Sequence, residues 1–201
     1  LRSNADWCKV LQEQIYFRDR QSATVRVEYD TAKLKEPGIY IATVEGLDGD
    51  VVALRLLNTI IVPLKTSAED GYRVRVENQS IEGSKVRRHF IFVPAGANAM
   101  HLTLRAPEGK ASTAGAIHIC RPDGRYISMT SALRLDTKNE KAESVYTVSK
   151  DLEPGIWEVP ITSAKASETS IYSLEARFDS ITLDPEEISD LSGRPGAPPS
   201  G

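Results

Sequence analysis

The chain contains only two cysteines, Cys8 and Cys120, among 201 residues. Small secreted proteins that depend on disulfides carry cysteine at a much higher density. We therefore predict that both side chains are free thiols. Long apolar runs are also missing, because Arg55 and Asn58 interrupt the most hydrophobic stretch and leave it far short of the ~20 residues that a membrane-spanning helix needs.

An excess of charge of one sign is absent as well. The 25 basic and 28 acidic residues give a formal net charge of -3 and are spread along the sequence. Such a balance creates no broad attraction for phosphate backbones or for anionic lipid. We therefore predict that neither nucleic acid nor a membrane is a partner of this chain.

The sequence also lacks the glycine-rich turns that present catalytic side chains. A subtilisin-type Ser, His and Asp each need such a turn, so that the imidazole can accept the proton of the hydroxyl. Pairs such as Gly83-Ser84 lack the second glycine of a nucleophile elbow. The serines at residues 128–132 have no glycine beside them and are predicted to enter a strand. The sequence thus predicts no catalytic residue in this chain.

The three histidines, His89, His101 and His118, are not spaced as metal ligands, since none has a second histidine two or four residues away. Each falls on a predicted strand beside an apolar stripe, so we expect surface or rim positions. The motif Asp48-Gly49-Asp50 lacks the further acidic ligands of a calcium loop, and a hairpin turn explains it. We predict neither a metal nor a cofactor.

What the sequence does contain is a strong period of two. Met100, Leu102 and Leu104 alternate with polar residues, which is typical of a strand with one buried face. Clusters of Gly, Pro, Asp and Asn separate such runs at roughly the 8 to 12 residues typical of sandwiches. No comparable pattern indicates a long helix, and we predict an all-β fold.

The domain organisation follows from a polar stretch at residues 65–71, where we place a boundary. Residues 1–66 offer roughly five strands, which predicts either a reduced immunoglobulin-like β-sandwich or one whose first strands lie upstream. Residues 70–183 offer roughly seven or eight strands, enough for a jelly-roll β-sandwich. Residues 184–201 begin with a predicted short helical turn at 185–191 and continue as a flexible Gly/Pro/Ser-rich linker.

The densest basic cluster consists of Lys85, Arg87 and Arg88. Together with Pro94 and Asn98, which begin and end the loop beside them, these residues form our candidate docking patch for an acidic surface. The alternative is a solvated entrance to a strand, which needs no partner. The aromatic residues leave open a carbohydrate-binding jelly roll, although aromatics that alternate along strands are more often core.

Two stretches resemble a known family. Residues 87–97, Arg-Arg-His-Phe-Ile-Phe-Val-Pro-Ala-Gly-Ala, are similar to the start of the galactose-binding-like jelly roll that follows the catalytic domain in tripeptidyl-peptidase II-like subtilisin-family serine peptidases. Residues 25–28, then Leu34, residues 38–40, residues 44–46 and Asp48 resemble the preceding immunoglobulin-like domain of that family. Both stretches occur in the family's order.

The resemblance implies a role without catalysis in this chain. No catalytic motif of the family falls on these positions, so the peptidase would lie elsewhere in a parent polypeptide, which in this family removes tripeptides and forms large oligomers. The expected role is an accessory scaffold that positions the protease domain and supports assembly, with that domain and further copies as partners. A cytoplasmic location is implied, with secretion left open. The alternative function is an independent carbohydrate- or calcium-binding module.

Overall fold

The computed structural model describes residues 1–17, 22–107, 114–129, 143–163 and 167–179. Within these ranges the chain forms thirteen β-strands and one short 3-10 helix, Thr31–Lys33, with no α-helix. None of the described elements is a helix that could cross a membrane. The predicted all-β fold is confirmed. The helical turn predicted at 185–191 and the linker predicted at 184–201 lie outside the described residues.

The N-terminal part of the chain contains the strands β1 (Arg2–Ser3), β2 (Cys8–Val10), β3 (Val27–Tyr29), β4 (Gly38–Asp48) and β5 (Val51–Val62). An antiparallel sheet has the order β1-β4-β5, and β2 pairs with β3 in a second sheet. Side chains from both sheets share one core, whose buried members are Trp7, Cys8, Leu34, Ala42 and Val44.

A tight turn joins β4 to β5 and sets their register. Asp48 lies opposite Val51, and the intervening Gly49 has a φ of 60°. Glycine adopts this left-handed conformation without strain, and glycine at the first central position is typical of a two-residue hairpin. The prediction of a hairpin turn at Asp48-Gly49-Asp50 is therefore confirmed.

The C-terminal part contains the strands β6 (Arg73–Ile81), β7 (Val86–Val93), β8 (Ala99–Arg105), β9 (Ala114–Cys120), β10 (Tyr126–Met129), β11 (Glu143–Val148), β12 (Gly155–Ser163) and β13 (Ser170–Asp179). They form two antiparallel four-stranded sheets with the orders β10-β9-β12-β7 and β11-β8-β13-β6. This arrangement is that of an eight-stranded jelly roll, in which the chain crosses repeatedly between two facing sheets. Of the serine stretch at 128–132, residues 128 and 129 lie in β10, as predicted.

Alternating side chains of both sheets meet in a second core. Trp157 on β12 is fully buried there, and its indole nitrogen donates to the carbonyl oxygen of Glu153 at 2.8 Å. Met100, Leu102 and Leu104 on β8 are also fully buried, which confirms the predicted face of that strand. The two facing layers thus bury one side of each sheet, as expected for a β-sandwich.

Backbone hydrogen bonds join the two parts of the chain. Leu64, just after β5, donates to the carbonyl oxygen of Phe90 at 2.7 Å, and its own carbonyl accepts from Phe92 at 2.8 Å. These bonds form a parallel bridge between Leu64 and Ile91 at the edge of β7. Residues 65–72 then lead without a strand to β6.

The cysteines lie in different parts of this fold. Cys8 is buried in the N-terminal core, whereas Cys120 ends β9 and is half-buried. Both are free, with no disulfide joining them. Burial raises the pKa of the Cys120 thiol, and the nearby carboxylate of Glu158 adds to that effect. Since the thiolate is the reactive form, this environment favours an inert Cys120 side chain.

Candidate docking surface

The predicted basic cluster lies at the start of β7. Lys85, Arg87 and Arg88 are all exposed, with Lys85 in the turn that precedes the strand. Successive side chains of a strand point to opposite faces, so Arg87 and Arg88 diverge. The guanidinium of Arg87 donates to the backbone carbonyl of Ser80 at 3.2 Å.

The side chain of Arg88 is already bound to neighbours in its own sheet. Its guanidinium makes two hydrogen bonds to the carboxylate of Glu158 on β12, one of them at 2.8 Å, and lies 5.2 Å from the ring centre of Phe90. The hydrogen bond and charge of Glu158 hold the pKa of Arg88 above its usual range. Arg88 is thus less able to contact a partner than Lys85 and Arg87.

The structure separates the remaining members of the predicted patch from this cluster. Pro94 and Asn98 belong to the turn after Val93, at the opposite end of β7. An eight-residue strand is about 25 Å long at the usual rise per residue. The expectation that this loop lies beside the cations is therefore wrong, because the intervening residues form one continuous strand.

A cleft of about 290 Å³ lies beside the basic end of β7. Arg87 and Arg88 form part of its wall in the C-terminal part of the chain, and Pro37 and Gly38 line it from the N-terminal part. The cleft therefore lies where the two parts meet. Sequence reasoning missed this juxtaposition, because residues 37 and 87 are brought together only by the bridge at Leu64.

A second polar surface lies on the outer face of the sheet β11-β8-β13-β6. Its side chains line a shallow cleft of about 320 Å³. At its centre, Glu175 accepts hydrogen bonds from Arg75, and Arg73 lies 3.6 Å away. Burial alone would raise the pKa of Glu175, but the contacts with Arg75, Arg73 and Arg105 outweigh it and lower that pKa. Only the alternation of charges along β6 and β13 signals this cluster in the sequence.

At one side of this face, a hydroxyl, an imidazole and a carboxylate are connected. His101 Nδ1 lies 2.9 Å from Thr147 Oγ1, and its Nε2 lies 2.7 Å from Asp179 Oδ2. Thr147 lies directly opposite His101 across two neighbouring strands. Backbone amides lie in the plane of a sheet whereas side chains stand upright on it, so the adjoining backbone provides no oxyanion hole above Thr147. The set resembles a cross-strand polar cluster more than a catalytic centre.

The prediction for His89 is wrong. Its side chain is buried between the two sheets, with only 7% of its surface exposed, and its Nε2 lies 2.7 Å from the hydroxyl of Tyr172. Burial lowers the pKa of His89 to about 4, and the charge of Arg87 contributes in the same direction. The apolar stripe of β7 includes this histidine because Tyr172 satisfies its ring nitrogen. His118, by contrast, is half-buried beside the ring of Tyr126.

The side chains in the described ranges offer little that would bind a metal ion or stack on a sugar. Among them, no group of three or more His, Cys, Asp or Glu side chains is arranged to hold a metal ion. Trp7 and Trp157 belong to the two cores and are 8% and 0% exposed. Sugar rings stack on exposed aromatic faces, so neither tryptophan forms a sugar platform.

No family model and no curated protein matches the chain. Among solved structures, the fold is similar to that in a crystal structure of tripeptidyl peptidase 2 (TPP II), with a TM-score of 0.56 and 17% sequence identity. The match covers 88% of this chain but only 16% of that chain. At this identity the similarity concerns the fold alone.

Proposed function

We propose that this chain is a non-catalytic accessory region of a larger serine peptidase of the subtilisin type, similar to tripeptidyl peptidase II. The observation that carries the proposal is the structural match, in which nearly the whole chain corresponds to a small share of a much larger peptidase. The resemblance at residues 87–97 supports it independently. Under this proposal the catalytic residues belong to another part of the parent polypeptide.

The proposed domains follow the two cores. Residues 1–66 would be a partial immunoglobulin-like domain and residues 70–183 a galactose-binding-like jelly roll. The separation of the two hydrophobic clusters supports this division. The backbone bonds at Leu64 support a fixed relation between the two domains, because they join the chain just after β5 directly to the edge of β7.

The proposed mechanism is positional. A sandwich with a close-packed core changes shape little, so its surface can hold a neighbouring domain in one orientation. Lys85 and Arg87 are the cations we assign to docking, opposite an acidic surface of the protease domain or a neighbouring subunit. Arg88 contributes through the shape of the surface, since Glu158 already holds its charge.

The experiment uses the parent peptidase with Lys85→Glu and Arg87→Glu combined. We expect lower peptidase activity and smaller assemblies in sedimentation, because two attractive charges become repulsive. The matched control combines Lys9→Glu and Lys35→Glu, which changes the charge equally at other exposed positions. Unchanged activity and assembly size in the first variant would refute the assigned surface.

The isolated chain provides a separate test of its accessory role. We expect no hydrolysis of tripeptide-releasing substrates by the chain alone. Peptidase activity that disappears with His101→Gln would show that the chain has its own active centre and would overturn the proposal. Activity that persists in His101→Gln would point to a contaminating peptidase, and a repeat with repurified chain would then have to show none.

A further inference from the structure

The outer face of the sheet β11-β8-β13-β6 carries a pair of like charges at directly opposed positions. Arg73 on β6 lies opposite Arg177 on β13. Both side chains point away from the core, because their neighbours Val74 and Ala176 pack into it. Like charges that face each other across two strands destabilise a sheet. Proteins keep such local conflicts mainly where they serve a function, so this pair indicates a binding surface.

The carboxylates near this pair compensate its charge only in part. Nε of Arg73 lies 3.6 Å from the carboxylate of Glu175, and Nη2 of Arg177 lies 3.4 Å from that of Asp179. Hydrogen bonds between a guanidinium and a carboxylate are usually shorter, roughly 2.7 to 2.9 Å. Roughly half of each arginine side chain is exposed. Both guanidinium groups therefore keep N–H donors for a further acceptor.

Two further arginines are held in place around the same shallow cleft. Arg75 donates hydrogen bonds to Glu175 at 2.9 Å and to Glu77 at 3.2 Å, and Arg105 donates to Glu143 at 2.8 Å. The described lining of the cleft combines four arginines with two glutamates. It thus carries an excess of two positive charges, although the whole chain has a net charge of -3. This excess attracts an anion to the cleft.

The free donors of Arg73 and Arg177 define the class of anion. Each guanidinium is a planar fork that binds two acceptor oxygens at once. The two oxygens of a carboxylate are satisfied by one fork, whereas the three oxygens of a phosphate group can accept from both. A phosphate monoester also carries a charge of about -1.5 to -2, which balances two facing cations. The cleft volume of about 320 Å³ is enough for this group and a small organic substituent.

We propose that this cleft binds a phosphate monoester between Arg73 and Arg177. Arg75 and Arg105 add to the positive potential from fixed positions. The carboxylate of Glu175 is only 10% exposed, so the arginines lie between it and the ligand, and its role is to position them. The cleft belongs to the sheet that faces the one containing β7. The inference is therefore independent of the proposed docking role and of the peptidase.

The first experiment titrates the 201-residue chain at low ionic strength and follows the side-chain N–H signals of its arginines by NMR. The ligands are glycerol phosphate and a phosphoserine peptide, and acetate is the control anion. We expect saturable shifts at Arg73 and Arg177 with both phosphate monoesters, and binding of acetate that is about tenfold weaker or less. Tighter binding of the peptide would identify a phosphorylated protein as the source of the group, and equal affinities would identify a small molecule.

The second experiment repeats the titration with substituted chains. Arg73→Gln and Arg177→Gln should each weaken binding of glycerol phosphate by about tenfold or more, because each removes charged hydrogen bonds. Arg177→Lys keeps the charge without the fork and should give an intermediate affinity. The control Arg125→Gln removes the same charge from an equally exposed position beside β10 and should leave the affinity unchanged.

Three results would overturn the proposal. The native chain could show no saturable binding of either phosphate monoester, both glutamine variants could bind as tightly as the native chain, or acetate could bind as tightly as glycerol phosphate. Thermal denaturation shows that the variants are folded. We expect them to melt close to the native temperature, because each substitution also removes the repulsion between the two arginines.

Discussion

Acid should destabilise this protein through His89, which lies between the two sheets of the jelly roll. At neutral pH the imidazole is uncharged, and the hydroxyl of Tyr172 can donate a hydrogen bond to its Nε2. Protonation would place a positive charge in the core, next to Arg87, with no carboxylate among its described partners. The pKa is therefore lower in the folded protein than in the unfolded chain.

The sign and size of the effect follow from this difference. Because the unfolded chain binds the proton more tightly, stability is complete above pH 6.5 and falls as the pH drops toward 4. With a folded-state pKa of about 4 and an ordinary value of 6.5, the loss is about 2 kcal/mol at pH 5 and about 3 kcal/mol at pH 4. Losses of this size are a large fraction of the stability of a typical domain.

The assay is urea denaturation of the native chain and of His89→Gln between pH 4 and pH 7. Glutamine can keep a hydrogen bond to Tyr172 but does not titrate, so the native chain should lose about 2 to 3 kcal/mol more than the variant on acidification. Carboxylates titrate in both proteins and cancel in the comparison. An NMR titration of the native chain checks the cause directly. A midpoint near 6.5 for His89, or parallel pH profiles of the two proteins, would refute the reasoning.

Three further predictions concern other parts of the fold. Glu175→Gln should lower the free energy of unfolding by about 2 kcal/mol, because the shielded carboxylate of Glu175 holds several arginines together. The exposed control Glu77→Gln should change it by less than about 0.5 kcal/mol. Equal effects of the two substitutions in thermal denaturation would contradict this prediction. Trp157→Ala should cost about 3 to 5 kcal/mol in urea denaturation, since it empties the centre of the jelly-roll core, and a loss below about 1 kcal/mol would show that the core collapses around the gap. The isolated native chain and its Thr147→Val variant should both hydrolyse an activated ester only at the background rate. A faster rate in the native chain that is lost in Thr147→Val would assign catalysis to Thr147.

The alternation of side chains was enough to predict the all-β fold. On β8, Met100, Leu102 and Leu104 occupy the predicted buried face, because a strand exposes its two faces in strict alternation. From the spacing of turn residues we predicted seven or eight strands after residue 70, and the described part of that region contains eight.

Site features were less predictable, because they depend on how strands are placed across the sheets. His89 was expected at the surface, yet its partner Tyr172 lies far along the sequence and belongs to the facing sheet. Pro94 follows Arg88 closely in sequence but is separated from it by most of the length of β7. The arginines around Glu175 come from β6 and β8, whose positions beside β13 are set by the crossovers of the jelly roll.

The bridge at Leu64 also has a mechanical consequence. Its two hydrogen bonds fasten the end of β5 to the edge of β7, so tension applied along β5 reaches the larger sandwich through the backbone instead of being absorbed by slack chain. A pull on the N-terminal sheet would load these two bonds before it could extend residues 65–72. The two hydrogen bonds thus oppose separation of the two parts at this point, ahead of any stretching of the chain that follows.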